Sequence, residues 1–203
     1  MKTVNFAGSN TFIRADGWKL AGVLDRSKFA SDNAGNIIVK AGTVLATKEN
    51  KLVPFSATSV VGDTIASLDF SGENSATITL NGESITIDTD HTGDLEALVD
   101  DLQDAVDTAL GEDVIVVSEN DDEDGIKLSS YKDIVIAGSD VADLGLEAGT
   151  TEAMKAIGIN VVNQDITDKD GMANYLVQGM VETNKLTGYN PVVKEHLNFI
   201  MFV

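Results

Sequence analysis

Charge is divided so unevenly along this 203-residue chain that the division constrains the fold more than any motif does. Residues 1–61 carry eight basic and four acidic side chains, residues 62–150 carry two and 23, and residues 151–203 carry four and six. Nearly all of the net charge of −19 therefore belongs to the middle segment. One core rarely changes its surface chemistry at two points, so the pattern predicts an acidic domain, residues 62–151, inserted into another domain. A single acidic domain with a charged loop is the plainer alternative. With 43% apolar residues, either arrangement can bury a core.

The middle segment has clear periodicities. Ala76-Thr-Ile-Thr-Leu80 and Glu83-Ser-Ile-Thr-Ile-Asp88 alternate β-branched and polar residues around Asn81-Gly82. That pair supplies the two positive φ values of a type I′ turn, which predicts a β-hairpin. From Asp94 the spacing becomes helical. Leu95, Leu98, Val99, Leu102, Val106 and Leu110 form one stripe, with Thr92 or Gly93 near the N-cap and Gly111 past the end. The helix is expected over 94–110, packed on the hairpin. Asp113 to Val117, Gly125 to Ser129 and Asp133 to Ala137 read as three further strands, followed by a helical turn from Ser139 to Leu144. The insert is thus an α+β module of about 85 residues, enough to fold alone.

The flanks read as a small β-rich domain over 36–61 and 152–203. Asn36 to Lys40, Val44 to Ala46, Leu52 to Phe55, Ala156 to Val162 and Tyr175 to Glu182 are expected strands, with a polar loop up to Gly171. Pro191 starts a short helix, and Asn198 to Val203 is expected as a buried strand. The fold class is mainly β with an inserted α+β domain of hairpin, helix and three strands.

Residues 1–35 hold Phe6, Phe12, Ile13, Trp18, Leu20, Val23 and Leu24 without regular periodicity, between Gly8, Gly17 and Gly22. Spaced aromatics between glycines make docking points without a core of their own, so this segment is read as an arm that orders on a partner. Its alternative is a cover for the flank domain's own sheet.

Composition removes several function classes. A chain of this acidity does not meet nucleic acid or an anionic membrane surface as its primary ligand. There is no cysteine, which excludes disulfides, thiolate metal sites and cysteine nucleophiles. The first residues lack the apolar run of a signal peptide and no window approaches a membrane span, so a soluble chain made without Sec export is expected. No G-x-S-x-G, Walker A, G-x-G-x-x-G or H-E-x-x-H pattern occurs. His91 is expected on a solvated loop and His196 beside Glu195 on the terminal helix, neither with a second histidine at ligand spacing. Among 23 acids in one segment, paired carboxylates carry no meaning of their own. Asn120, Asp122, Asp124 and Gly125 match four positions of an EF-hand loop, but position twelve is Tyr131 and the loop joins strands. It reads as a turn with solvated charges. No enzyme activity, no cofactor and no metal site are expected.

The flank motifs also resemble a known family. Ile37-Ile-Val-Lys-Ala-Gly-Thr-Val-Leu-Ala46, then Asn50-Lys-Leu-Val-Pro-Phe55, is similar to the strand pair and following run of phage lambda-type head decoration proteins. Ala156-Ile-Gly-Ile-Asn160, Tyr175 to Val181 and Pro191 to Val203 resemble that family's later strands, short helix and last strand. The insert separately resembles the small repeat module of flagellins and hook-associated proteins. Its hairpin, its helix and the Ile136 to Leu146 run carry that likeness, which brings no catalytic residue. The decoration family implies a cement protein made in the host cytoplasm and located on the outer capsid surface of the virion. It implies a homotrimer whose partner is the major capsid protein and whose N-terminal arm adds to that protein's sheet. Phe6, Phe12, Ile13, Trp18 and Leu20 are the expected capsid-docking residues. A surface-displayed adhesive or structural module of a tail, fibre or flagellum, with the insert as recognition domain, is the alternative.

Overall fold

In the computed structural model, which describes residues 13–15 and 17–203, the chain leaves its first unit after Ser56 and returns to it at Met154. The protein is mainly β. The first unit begins with strands β1 (Ile13–Ala15), β2 (Lys19–Leu24), β3 (Ile38–Val39), β4 (Val44–Lys48) and β5 (Lys51–Pro54). The second unit, Ala57–Ala153, holds β6 (Thr58–Val61), β7 (Ala76–Leu80), β8 (Glu83–Ile87), helix α1 (Leu95–Leu110), β9 (Val116–Glu119), β10 (Ile126–Ser130), β11 (Ile134–Ala137) and β12 (Gly149–Thr151). The first unit then resumes with β13 (Ala156–Asn160), β14 (Gln164–Asp165), β15 (Gly171–Leu176), β16 (Gly179–Val181), helix α2 (Val192–His196) and β17 (Ile200–Phe202).

The first unit is built on a closed barrel in the order β13-β15-β2-β5-β4. A three-stranded sheet, β1-β16-β17, and a two-stranded one, β14-β3, complete it. Leu24, Val39, Leu45, Leu52, Ile166 and Ala173 form a buried cluster in this unit. Asn160, an amide with no exposed surface, turns a polar group to structural use. Asn160 Nδ2 lies 2.7 Å from Val162 O, 3.0 Å from Lys40 O and 3.3 Å from Val39 O. Lys40 O also accepts the Thr43 N–H and hydroxyl, so the amide joins a network that ties the turn after β3 to the end of β13 inside the core.

The second unit has two sheets, β6-β10-β9 and β12-β11-β7-β8. The expected hairpin is present, with Asn81 and Gly82 at φ 51° and 93° and strands in register from Ala76 opposite Ile87 to Leu80 opposite Glu83. The helix starts from an Asp94 cap, whose carboxylate accepts the Ala97 N–H at 3.0 Å, and ends at Gly111. Its buried residues Leu98, Leu102 and Val106 pack with Ile78, Leu80, Ile85, Ile126, Leu128 and Ile134. Each such leucine contributes about 1.5–3 kcal/mol by leaving water.

Several expectations are corrected. Thr58–Val61, read as part of the flanks, pairs with β10 and so belongs to the insert, which moves the boundary from 62 to 57. Lys19–Leu24, read as part of an arm, is a central barrel strand between β15 and β5. The reason lies at Gly22, where a Cβ would stand 2.8 Å from Leu52 Cδ1. A glycine that reads as a loop residue is in fact where two strands pack too closely for a side chain. The run Tyr175 to Glu182 divides into β15 and β16, which serve different sheets. The loop before Gly171 contains β14, paired with β3. The final strand is not wholly buried, since Phe199 is 74% and Met201 58% exposed.

Candidate functional site

The docking residues expected from the sequence are separated by the fold. Phe6 and Phe12 lie outside the described residues. Ile13 is half-buried in β1, opposite Val181. Trp18 precedes β2 and is 76% exposed, although its backbone is fixed because its carbonyl accepts the Val177 N–H at 2.9 Å. Leu20 is 54% exposed and stands opposite Tyr175 on β15.

Strand geometry explains why two leucines of β2 behave differently. Leu20, Gly22 and Leu24 share one side of the strand by alternation. Gly22 abuts Leu52 and Leu24 has no exposed surface, so this side faces the barrel interior. Leu20, at the strand's start, is 54% exposed, and Trp18, just before the strand, is 76% exposed. On the opposite side, Val23 and its cross-strand partner Met172 are 38% and 59% exposed, giving the barrel wall a second apolar pair. Sequence reading missed Met172 because it falls between the loop expected up to Gly171 and the strand expected from Tyr175, whereas β15 begins at Gly171.

Both histidines have structural surroundings. His91, expected in solvent, is buried. Its N–H donates to Leu68 O and its carbonyl accepts from Asp94, both at 2.8 Å, so the loop closes over the ring. His91 Nε2 lies 3.0 Å from Asp101 Oδ2, close enough for an ion pair when the imidazole is protonated but not aligned as a hydrogen bond. His196 Nδ1 accepts the Ala156 N–H at 3.1 Å, and its ring meets Phe55 edge-on at 5.9 Å.

The loop with the EF-hand spacing is a tied turn. Asn120 is buried, and its Nδ2 reaches Asp124 Oδ1 at 2.9 Å and Gly62 O at 3.2 Å. Asp124 Oδ2 accepts the Thr64 hydroxyl at 2.6 Å. That hydrogen bond, followed by the one from Asn120, holds the Asp124 carboxyl below its ordinary range. Among the described residues no group of three or more metal-ligating side chains comes together, and no helix is long and apolar enough to cross a membrane. The second unit has an open cavity of about 500 Å³ lined in part by Thr64, Ser67, Asp69, Phe70, Asp140 and Asp143. Two of its carboxylates are engaged locally, Asp69 by Ser71 and Asp140 by Ser139 and the Thr77 N–H.

The first unit thus leaves Trp18, Leu20, Val23 and Met172 exposed and carries a net charge of +3, while Ala57–Ala153 carries −22. Comparison of the chain with protein-family models, curated proteins and solved structures gives no match.

Proposed function

We propose that this chain is a capsid decoration protein, which binds the outer surface of a major capsid protein lattice as a homotrimer and stabilises the head. The observation that carries the reading is the exposure of two apolar side chains, Trp18 and Leu20, at the start of a barrel strand. A tryptophan left in water on an ordered backbone is the type of side chain that supplies most of an interface's binding energy when a partner encloses it. The resemblance of residues 36–61 and 152–203 to lambda-type decoration proteins supplies the partner.

Residues 19–24 pair with β15 along their whole length, and Leu24 also stands opposite Leu52 of β5, so in this reading the strand serves the barrel and does not add to a capsid protein's sheet. They dock through side chains. Strand addition, if the arm performs it, belongs to residues before Lys19. Three weak contacts on one trimer multiply through effective concentration. Stabilisation of the head is linkage: a ligand bound only by the assembled lattice, at 100 times its Kd, contributes about 2.7 kcal/mol per site. The acidic unit faces solvent in this reading, because three copies of it drawn together would repel within a Debye length of about 8 Å.

Co-sedimentation with empty expanded heads tests the reading. The intact protein is expected to saturate the heads, and Trp18→Ala and Leu20→Ala each to weaken binding by about 1–3 kcal/mol without changing the melting temperature of the free protein. Full binding by the double variant would contradict it.

A further inference from the structure

Asn81-Gly82 is the only Asn-Gly pair in the chain, and its asparagine does more than form the turn between β7 and β8. The ladder between β7 and β11 pairs two residues, Leu80 opposite Ile136 and Thr79 opposite Ala137. Asn81 extends it by three hydrogen bonds. Its N–H donates to Val135 O at 2.9 Å, its Oδ1 accepts the Val135 N–H at 2.7 Å, and its Nδ2 donates to Asp133 O at 3.1 Å. The carboxamide thus takes the place of one more peptide group against β11. Aspartate suits the first position of such a turn as well, but only the amide can accept from Val135 and donate to Asp133 together.

The same pair carries a reaction. In an Asn-Gly sequence the glycine nitrogen can attack the carboxamide carbon before it, since glycine has no side chain to hinder the approach. Gly82 N gives up its proton and bonds to Asn81 Cγ, the Cγ–Nδ2 bond breaks, and Nδ2 leaves as ammonia with that proton. Water then opens the succinimide ring at one of its two carbonyls and leaves aspartate or isoaspartate. The balance needs water and base alone. Burial does not prevent the attack, because Gly82 is exposed and a Cβ placed on it would meet nothing within 4 Å. The clip to β11 does. Asn81 is held there through both of its side-chain polar atoms, and turning Cγ onto Gly82 N breaks both bonds.

We propose that Asn81 is a deamidation site held closed by the fold, which reacts when the hairpin turn parts from β11. Opening of this kind is local and leaves the rest of the insert paired. The product cannot restore what was lost. An aspartate at position 81 still accepts from Val135, but it has no proton for Asp133 O and sets a negative charge against that carbonyl. An isoaspartate adds a main-chain carbon to a two-residue turn and offsets Leu80 from Glu83. Either product weakens the ladder that kept the asparagine from reacting. A reacted insert therefore opens more readily, and the chain carries a covalent record of having opened. This inference is independent of what the first unit binds.

The test follows the whole chain in mildly alkaline buffer, with the segment containing Asn81 mapped by mass spectrometry over time and its aspartate and isoaspartate forms separated by chromatography. The folded chain is expected to deamidate at Asn81 about tenfold or more slowly than the same chain unfolded in denaturant, and the rate is expected to rise with denaturant below the unfolding midpoint. Asn81→Asp, and wild type aged to completion and purified by anion exchange, are expected to melt at a lower temperature than fresh wild type. A folded chain that reacts as fast as the unfolded one would overturn the proposal, as would aged protein that melts with the fresh.

Discussion

Ser56 Oγ lies 3.8 Å from Met154 Sδ, so the chain leaves and re-enters its first unit at one place. An insertion whose two junctions touch can be removed without stretching the host. Replacing residues 57–153 by two glycines is expected to leave a folded first unit with the same number of copies per particle as the whole chain. Circular dichroism and light scattering check this, and an aggregated or unfolded product would show that the first unit depends on the insert.

Asn160→Ala is expected to destabilise the first unit by about 1–3 kcal/mol, because the Val39 and Val162 carbonyls lose a buried donor while Lys40 O keeps those of Thr43. Asn160→Asp removes the donor and adds a buried charge, so it is expected to cost more. Denaturant melts that rank the two variants equal to wild type would mean that the turn after β3 relaxes to water.

How far the sequence speaks for the structure differs between the two units. The hairpin and helix of the insert were readable because each has a clean period, and the Asn81-Gly82 turn and Gly111 stop agree with it. Only the cap differed, at Asp94 instead of Thr92 or Gly93. The barrel was less readable. Its strands are short, and β2 contains a glycine whose missing side chain is replaced by Leu52, a contact between residues 30 positions apart. The exposed apolar residues show the same limit. Composition made Trp18 conspicuous, but nothing in Asn198 to Val203 separates the buried Ile200 from the exposed Phe199 and Met201; the sheet's own pairing decides that. His91 likewise reads as a loop residue, and the fold encloses it.

Acid is expected to loosen the insert's turn at Asp124. Hydrogen bonds from Thr64 and Asn120 lower this carboxyl below the ordinary aspartate value of 3.8. The unfolded chain then takes up the proton first as pH falls. The contribution is present above 3.8 and is lost as pH drops through the lower folded value. In melts across this range, Asp124→Asn is expected to show a shallower acid slope than wild type. An unchanged slope would remove Asp124 from the account.

Salt acts on the insert in the opposite sense. Its −22 charge is self-repulsive, so raising ionic strength screens the folded state and is expected to raise the melting temperature of Ala57–Ala153 produced alone. No change between low salt and about 1 M, where the Debye length is near 3 Å, would mean that the acids are already too far apart to interact.

The most direct test of the decoration reading is a cryo-EM reconstruction of heads assembled from the major capsid protein encoded in the same genome, with this chain added. The expected map has trimers of the first unit on the outer surface at threefold positions, Trp18 and Leu20 against the lattice and the acidic unit in solvent. Bare heads at saturating protein, or the chain found only on tails or fibres, would contradict the account.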